Sequence, residues 1–166
     1  MNKLSWRIIV VFIMALILTI IPLPNSLIWI RPPWILLFVL YLQFYLPYYF
    51  RILSIFIIGI IMDALLATII GEHVFILCLM TLIANYRARC FHLLPVSQQM
   101  MLIGFFSMIY QVMIIFIDLL LGYNADSLSI FGIGLISMLM WPWLRLIGEK
   151  FLLKVCLNFR KTPKVW

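Results

Sequence analysis

Charged side chains are scarce in this chain of 166 residues: they make up 10% of the sequence, while hydrophobic residues make up 67%. Soluble domains average about 25% charged and about 45–50% apolar residues. The shortage of charge, together with a mean hydropathy of +1.21, excludes a water-soluble globular enzyme and a disordered chain. The composition predicts an all-α, polytopic integral membrane protein.

Residues that bind metals or form disulfides are also few. The three cysteines, Cys78, Cys90 and Cys156, are far apart and form no Cys-x-x-Cys motif, so we expect free thiols. The two histidines, His73 and His92, fall on opposite sides of the predicted membrane. The sequence has no metal-ligand spacing, no glycine-rich phosphate loop and no Gly-x-Ser-x-Gly motif. We therefore predict no metal, no cofactor and no enzymatic activity.

Six apolar segments predict six transmembrane helices in one domain that covers residues 1–166. Six spans of about 20 residues would use about 120 residues and leave only short connections. A turn at Gly71-Glu72-His73 separates the third segment from the fourth. Because the second and fourth segments are short, a five-span or re-entrant arrangement stays open. The segments are 8–21, 34 to about 47, 52–70, 74 to about 86, 100–121 and 130–147.

Lysine and arginine are distributed unequally over the predicted loops. With six spans and a cytoplasmic N-terminus, eleven of the twelve basic residues fall on the cytoplasmic side and Arg31 alone falls outside. Cytoplasmic loops of membrane proteins carry this excess, so both termini are predicted to be cytoplasmic. The net charge of +7 thus indicates orientation in a bacterial inner membrane, and no nucleic-acid partner is expected.

The predicted cytoplasmic side ends in a basic amphipathic tail, residues 148–166. Its cations are expected near anionic lipid headgroups at the inner-leaflet interface. A docking surface for a cytoplasmic partner is the alternative interpretation. The residues predicted to form the cytoplasmic basic face are Arg87, Arg89, Lys150, Lys154 and Lys161.

Asp63 lies inside the third predicted span, where an acid near the helix centre costs about 2.5–3.5 kcal/mol. Gly59, Asp63 and Ala67 follow at four-residue spacing and would share one helix face. Small residues on that face let a neighbouring helix approach. We expect this seam, with Gly71 beyond it, to pack against another helix and Asp63 to be hydrogen-bonded across it. A proton or ligand site is the alternative.

Two other predicted spans carry small and polar residues on one face. In the fifth span these residues lie within an arc of about 60°, and in the sixth they lead into Trp141-Pro142-Trp143, where the proline predicts a kink. Arg31, the one basic residue predicted outside, is expected to pair with Asp118, Asp63 or Glu72. The seam residues of these two spans are Gly104, Ser107, Gln111 and Asp118, and then Gly134, Ser137 and Trp141.

Several short motifs resemble, in their order and spacing, the MreD family of rod shape-determining proteins in its proteobacterial form. One departure is visible: relatives often carry glycine four residues after the intramembrane acid, where this chain has Ala67. Alanine is also small, so a tight seam is still expected. The motifs are Arg31-Pro32-Pro33-Trp34, Leu46-Pro47, Gly59-Ile60-Ile61-Met62-Asp63 with Gly71 eight residues later, Trp141-Pro142-Trp143 and the basic tail.

The resemblance implies a non-catalytic membrane subunit of the machinery that elongates the lateral cell wall. Members of the family work with MreC, a bitopic protein, and with the actin-like MreB filament, and these associate with the RodA glycosyltransferase and its transpeptidase. The small-residue seams of spans three, five or six are expected either to receive the MreC transmembrane helix or to hold the bundle together. Membrane lipids complete the expected partners. The alternatives are a small-solute-binding membrane subunit of a transporter and, with less support, an enzyme that acts on a lipid-linked precursor through Asp63 or Asp118.

Overall fold

A computed structural model describes residues 3–21, 32–45, 52–91, 93–122 and 129–150. Over these ranges the chain is all-helical, as predicted, with six helices and no strand. Two of the described helices are long and apolar enough to cross a membrane, over Val96–Leu120 and Ile130–Gly148, and the other apolar helices are shorter. The elements are α1 (Lys3–Ile20), α2 (Trp34–Tyr45), α3 (Ile52–Leu66), α4 (Glu72–Phe91), α5 (Val96–Leu120) and α6 (Ser129–Gly148).

The central element of the fold is α2. The ten residues from Ile35 to Phe44 are all buried, and α2 contacts α1, α4, α5 and α6. Its sequence contains no charged residue and only one amide, Gln43, so every side of the helix can face apolar neighbours. Twelve residues at 1.5 Å per residue give about 18 Å, less than the about 30 Å of a bilayer core. A helix this short is compatible with membrane depth because protein surrounds it.

The other helices pack mainly as neighbours in the chain. The backbones of α3 and α4 approach closely at Gly59, where an added Cβ would lie 2.6 Å from the Cα of Val74. Only glycine fits at this crossing. The most extensive helix packing is between α5 and α6, and there a Cβ on Gly104 would lie 3.2 Å from the carbonyl oxygen of Gly134. The small residues therefore mark the helix crossings.

The helix ends differ from the predicted segments. The third segment was predicted to reach residue 70, but α3 ends at Leu66. Ala67 has a φ of +52° and is exposed. The prediction that Ala67 continues the helix face of Gly59 and Asp63 is therefore wrong. In contrast, α4 continues to Phe91 and α5 begins at Val96, each about a turn longer than the apolar segment. An apolar segment ends where polar and charged residues begin, whereas the hydrogen bonds of these two helices continue through such residues.

The C-terminal part of the described chain is α6, which runs through Pro142 to Gly148. Gly148 is buried, and a Cβ there would overlap the ring of Tyr41 in α2. The glycine thus lets the tip of this tyrosine reach the α6 backbone. Residues 151–166, which hold most of the predicted amphipathic tail, lie outside the described residues, so that tail stays a prediction.

Candidate functional site

Asp63 is the centre of a hydrogen-bond network at the turn between α3 and α4. Its side chain is buried, with 1% of the residue exposed. One carboxylate oxygen, Oδ2, accepts the N–H of Gly71 at 2.7 Å. The other, Oδ1, accepts the N–H of His73 at 2.9 Å and lies 3.0 Å from the His73 Nδ1. The Thr68 hydroxyl is 3.5 Å from Oδ1.

The turn conformation explains why the α4 N-terminus reaches Asp63. The chain leaves α3 through Ala67 at φ +52° and enters α4 through Gly71 at φ +104°, a conformation that glycine adopts without steric cost. The first N–H groups of a helix have no partner within the helix, and a carboxylate is favourable near them. Asp63 therefore acts as an N-cap for α4 although it belongs to α3.

His73 connects the same network to α5. It is buried, and its Nδ1 lies 3.0 Å from Asp63 and 3.3 Å from the Thr68 hydroxyl. Its ring centroid is 6.4 Å from that of Tyr110 in α5. With Nδ1 protonated, the imidazole donates to the buried carboxylate, so Asp63 has a donor from a side chain as well as from two backbone groups.

Two further acids, Glu72 and Asp118, lie at this end of the bundle. Glu72 is the first residue of α4 and is 7% exposed, while Asp118 is half-buried in the last turn of α5. Glu72 interacts electrostatically with Asp118 and Asp63, and His73 interacts with both aspartates. Within the described ranges, neither Glu72 nor Asp118 forms an ion pair with lysine or arginine.

Gln99 organises a second polar cluster, at the C-terminal end of α4. The amide is buried, with 2% exposed, and its Nε2 donates to the carbonyl oxygens of Phe91 at 3.2 Å and Leu94 at 3.0 Å. Its Oε1 accepts from the Nε1 of Trp141 at 3.4 Å and from the Nη1 of Arg145 at 3.3 Å. Gln99 thus joins the end of α4 to α6 through a residue of α5.

Gln99 is not among the residues predicted from the sequence, although the sequence carries a signal for it. Gln99 shares its helix face with the buried residues Ile103, Phe106 and Tyr110, whereas its neighbour Gln98 is exposed. An amide at a core position of an otherwise apolar helix needs hydrogen-bond partners. Gln99 can be recognised as such a residue only when the structure shows which face of α5 is buried.

Aromatic rings surround the Gln99 cluster. The rings of Phe44 and Phe91 stack with centroids 3.8 Å apart, and Phe91 meets Trp141 edge-on at 5.7 Å. Trp141 is fully buried, and its ring centroid also lies 6.3 Å from that of Tyr41. Since these residues come from α2, α4 and α6, the first tryptophan of the Trp-Pro-Trp motif holds three helices together.

The predicted seams of the fifth and sixth spans face each other. Gly104 lies against Gly134, and Ser107 and Ser137 are both buried. The Ser137 hydroxyl donates to the carbonyl of Ile133 in its own helix at 2.8 Å. Gln111, on the same predicted stripe, is half-buried. The structure therefore brings these two stripes together.

Some of the predicted basic residues lie outside the described residues. They are Arg31, Lys154 and Lys161, together with the side chains of Arg87 and Arg89. The pairing of Arg31 with an acid therefore stays a prediction. Lys150 is described and exposed, and near it Arg145 forms an ion pair with Glu149, with its Nε 2.9 Å from Oε1.

Comparison with known proteins gives the family. The family model described as the rod shape-determining protein MreD matches residues 1–151. The chain belongs to the MreD family. The rod shape-determining protein MreD of Haemophilus influenzae is similar, with 26% identity over 156 residues that cover 93% of this chain and 96% of the relative. No solved structure matches.

Membership of the MreD family bears on location and chemistry. MreD proteins are rod shape-determining proteins and are not known as enzymes. A membrane location agrees with the two described helices that are long and apolar enough to span. In the described part of the chain, no three histidine, cysteine or acidic side chains are grouped so that they could hold a metal ion.

Proposed function

We propose that this chain is a non-catalytic membrane scaffold subunit of the rod elongation complex. It helps to maintain rod cell shape by coupling MreC, the MreB filament and lateral-wall peptidoglycan synthesis. The observation that carries the proposal is the MreD family match over residues 1–151. The wall synthases associate with the chain through the complex.

The proposed arrangement in the inner membrane has six spans and two cytoplasmic termini. The six described helices supply the spans, and eleven of twelve basic residues fall on the cytoplasmic side, as the positive-inside rule requires. In this arrangement the Asp63 network lies at the periplasmic end of the bundle. The Gln99 cluster lies at the cytoplasmic end, where α4, the helix that contains Arg87 and Arg89, finishes.

The use of polar side chains supports a structural role. Asp63 accepts hydrogen bonds from the α4 N-terminus, and Gln99 bonds to α4 and α6. The α5 and α6 seams contact each other. These groups hold the bundle together, so a partner helix would meet the outer faces of the bundle and not the seams.

Depletion in a rod-shaped host, followed by microscopy and by co-purification in mild detergent, tests the proposal. Loss of the chain should give round cells, and the purified chain should retain MreC. Normal rods after depletion would contradict the scaffold role.

The transport alternative predicts a different result, namely an uptake defect in cells of normal shape. The sequence offers the acids of the outer half of the bundle, including Asp63, as the ligand groups for this alternative. The carboxylate oxygens of that residue are already engaged by Gly71 and His73, which argues against an open solute site at this acid.

A further inference from the structure

The hydroxyl of Tyr41 is a buried donor without an acceptor. Tyr41 lies near the C-terminal end of α2 and is 4% exposed, and its Oη has no hydrogen-bond partner in the described part of the chain. An unsatisfied buried hydroxyl costs free energy, whereas phenylalanine would fill the same space without that cost. The tyrosine therefore points to an acceptor that the described helices do not supply.

The end of α6 covers this hydroxyl. A Cβ on Gly148 would overlap the Tyr41 Oη, so glycine lets the hydroxyl reach the α6 backbone. Directly after Gly148 the helix widens from α- to π-helical at Glu149 and Lys150, a change that is frequent at functional sites. Tyr41 also interacts electrostatically with Arg145 and Glu149. The hydroxyl thus lies beneath one turn of backbone and close to charged side chains.

Arg145 brings further donors to the same place. Its Nε donates to Glu149 at 2.9 Å and its Nη1 to Gln99 at 3.3 Å, and a guanidinium has five N–H donors in all. Its side chain is 30% exposed, so its other N–H groups can reach a ligand. With the exposed Lys150, the charges of Arg145 and Glu149 leave one net positive charge at this end of α6.

The position along α6 indicates which ligand is available there. The helix is long and apolar enough to cross a membrane over Ile130–Gly148, so Arg145 lies near the end of a span. Trp143 on the same helix is 67% exposed, and tryptophan is enriched at the level of the lipid headgroups. Basic pockets between membrane helices at this level bind phospholipid headgroups.

We propose that Tyr41 and Arg145 bind the phosphate of a phospholipid headgroup between the ends of α2 and α6. The hydroxyl and the guanidinium both donate, and a phosphodiester supplies the acceptor oxygens. Its single negative charge balances the net charge of Arg145, Glu149 and Lys150. Binding shifts the last turn of α6 so that a phosphate oxygen reaches the Tyr41 Oη. The inference requires a membrane location and is independent of MreC and MreB.

Tyr41→Phe tests the site because it removes the hydroxyl alone. The delipidated full chain in detergent is titrated with dioleoylphosphatidylglycerol, and native mass spectrometry and the melting temperature report binding. Without lipid, we expect the variant to melt like the wild type, since the hydroxyl has no partner to lose. It should bind the lipid about tenfold more weakly, because a hydrogen bond to a charged group is absent.

Two further variants give a matched control and a change of opposite sign. Tyr86→Phe removes the hydroxyl of an exposed tyrosine on α4 and should bind the lipid like the wild type. Glu149→Gln removes the acid that pairs with Arg145. It frees the guanidinium for the phosphate and should bind the lipid more tightly than the wild type.

Equal lipid binding by Tyr41→Phe and the wild type would overturn the inference. A lower melting temperature of Tyr41→Phe without lipid would also overturn it, because the hydroxyl would then bond within the chain. Dioleoylglycerol, which lacks the phosphate, should bind more weakly, and equal binding would mean that the acyl chains alone are recognised. Inorganic phosphate that binds as tightly as the lipid, in a way that Tyr41→Phe abolishes, would assign the site to free phosphate instead.

Discussion

At the scale of single residues, two buried polar side chains of this apolar bundle, Asp63 and Gln99, act at helix ends. The buried Asp63 accepts hydrogen bonds from two backbone N–H groups at the start of α4. Gln99 donates to the carbonyl groups of Phe91, the last residue of α4, and of Leu94 beyond it. In a membrane, water cannot satisfy such groups, and each orphan costs free energy. Asp63 and Gln99 therefore offset the cost of ending α4 within the protein.

We expect Asp63→Leu to lower the free energy of unfolding by about 2 kcal/mol or more, because the N–H groups of Gly71 and His73 lose their acceptor at about 1–3 kcal/mol for each buried group. Asp63→Asn should lose less, since one amide oxygen can still accept. Denaturant unfolding in detergent measures both values, with Asp118→Asn as the control. Equal stability of Asp63→Leu and the wild type would show that the carboxylate does not cap α4.

Two glycine substitutions should differ in cost. A Cβ at position 59 would meet the backbone of Val74 at 2.6 Å, whereas at position 134 it would meet the flexible side chain of Met108. We expect Gly59→Ala to destabilise the protein by about 1–3 kcal/mol and Gly134→Ala by clearly less. Thermal unfolding of the two purified variants gives the order, and the reverse order would contradict the α3–α4 crossing described above.

The spacing of Gly59 and Asp63 predicts an acid that faces another helix. It does not predict that the partner is the start of α4, because this depends on the left-handed backbone at Ala67 and Gly71. The same turn removes Ala67 from the predicted seam. Gln99 escaped prediction because two adjacent glutamines look alike in a sequence, and only the fold shows which one is buried.

At the scale of helices, α4 is held at both ends by side chains from its neighbours in the chain. Asp63 of α3 binds its N-terminus, and Gln99 of α5 binds its C-terminal carbonyl groups. Trp141 and Arg145 of α6 bond to the same Gln99 oxygen. A shift of α6 would therefore act directly on the C-terminal end of α4, the helix that carries Arg87 and Arg89.

Gln99→Leu should lower the free energy of unfolding by about 2 kcal/mol or more, since it leaves the Trp141 indole and two carbonyls without their partner. The adjacent Gln98 is exposed, so Gln98→Leu is a matched control and should have little effect. Tryptophan fluorescence during denaturation measures both. Similar losses in the two variants would mean that the network does not contribute to stability.

Helix existence could be predicted from the sequence better than helix ends. All six apolar segments contain helices, because long apolar runs without glycine or proline clusters have few other stable structures in lipid. The segment that ends near residue 86 continues as helix to Phe91. Arginine is a good helix former, so the helix can extend past the point where the apolar residues, which hydropathy detects, come to an end. Pairing of the seams could not be predicted, because several helices carry similar stripes.

At the scale of the whole molecule, charge has opposite sign at the two ends of the bundle. Glu72, Asp63 and Asp118 lie near one end. Arg145, Glu149 and Lys150 lie at the end of α6, and the sequence adds Arg87 and Arg89 near the end of α4. This asymmetry is the main support for the proposed orientation in the membrane, since basic residues are retained on the cytoplasmic side.

Reporter fusions test that orientation. Alkaline phosphatase joined after Trp166 should be inactive and a green fluorescent protein at the same position should fluoresce, because the C-terminus is proposed to be cytoplasmic. Phosphatase inserted after Asp126 should be active. Phosphatase activity at Trp166 would reverse the sidedness and place the Asp63 network on the cytoplasmic side.

The enclosure of α2 has a consequence for biosynthesis. The ribosome completes α2 at Tyr45 and α6 at Gly148, a difference of 148 − 45 = 103 residues, or about 5–20 s of translation. During that time the nascent α2 lacks the later helices that cover it and has to be stored among lipid chains. Because α2 has no charged side chain, contact with lipid costs it little free energy. The same apolar sequence therefore suits both the partly synthesised chain and the finished core.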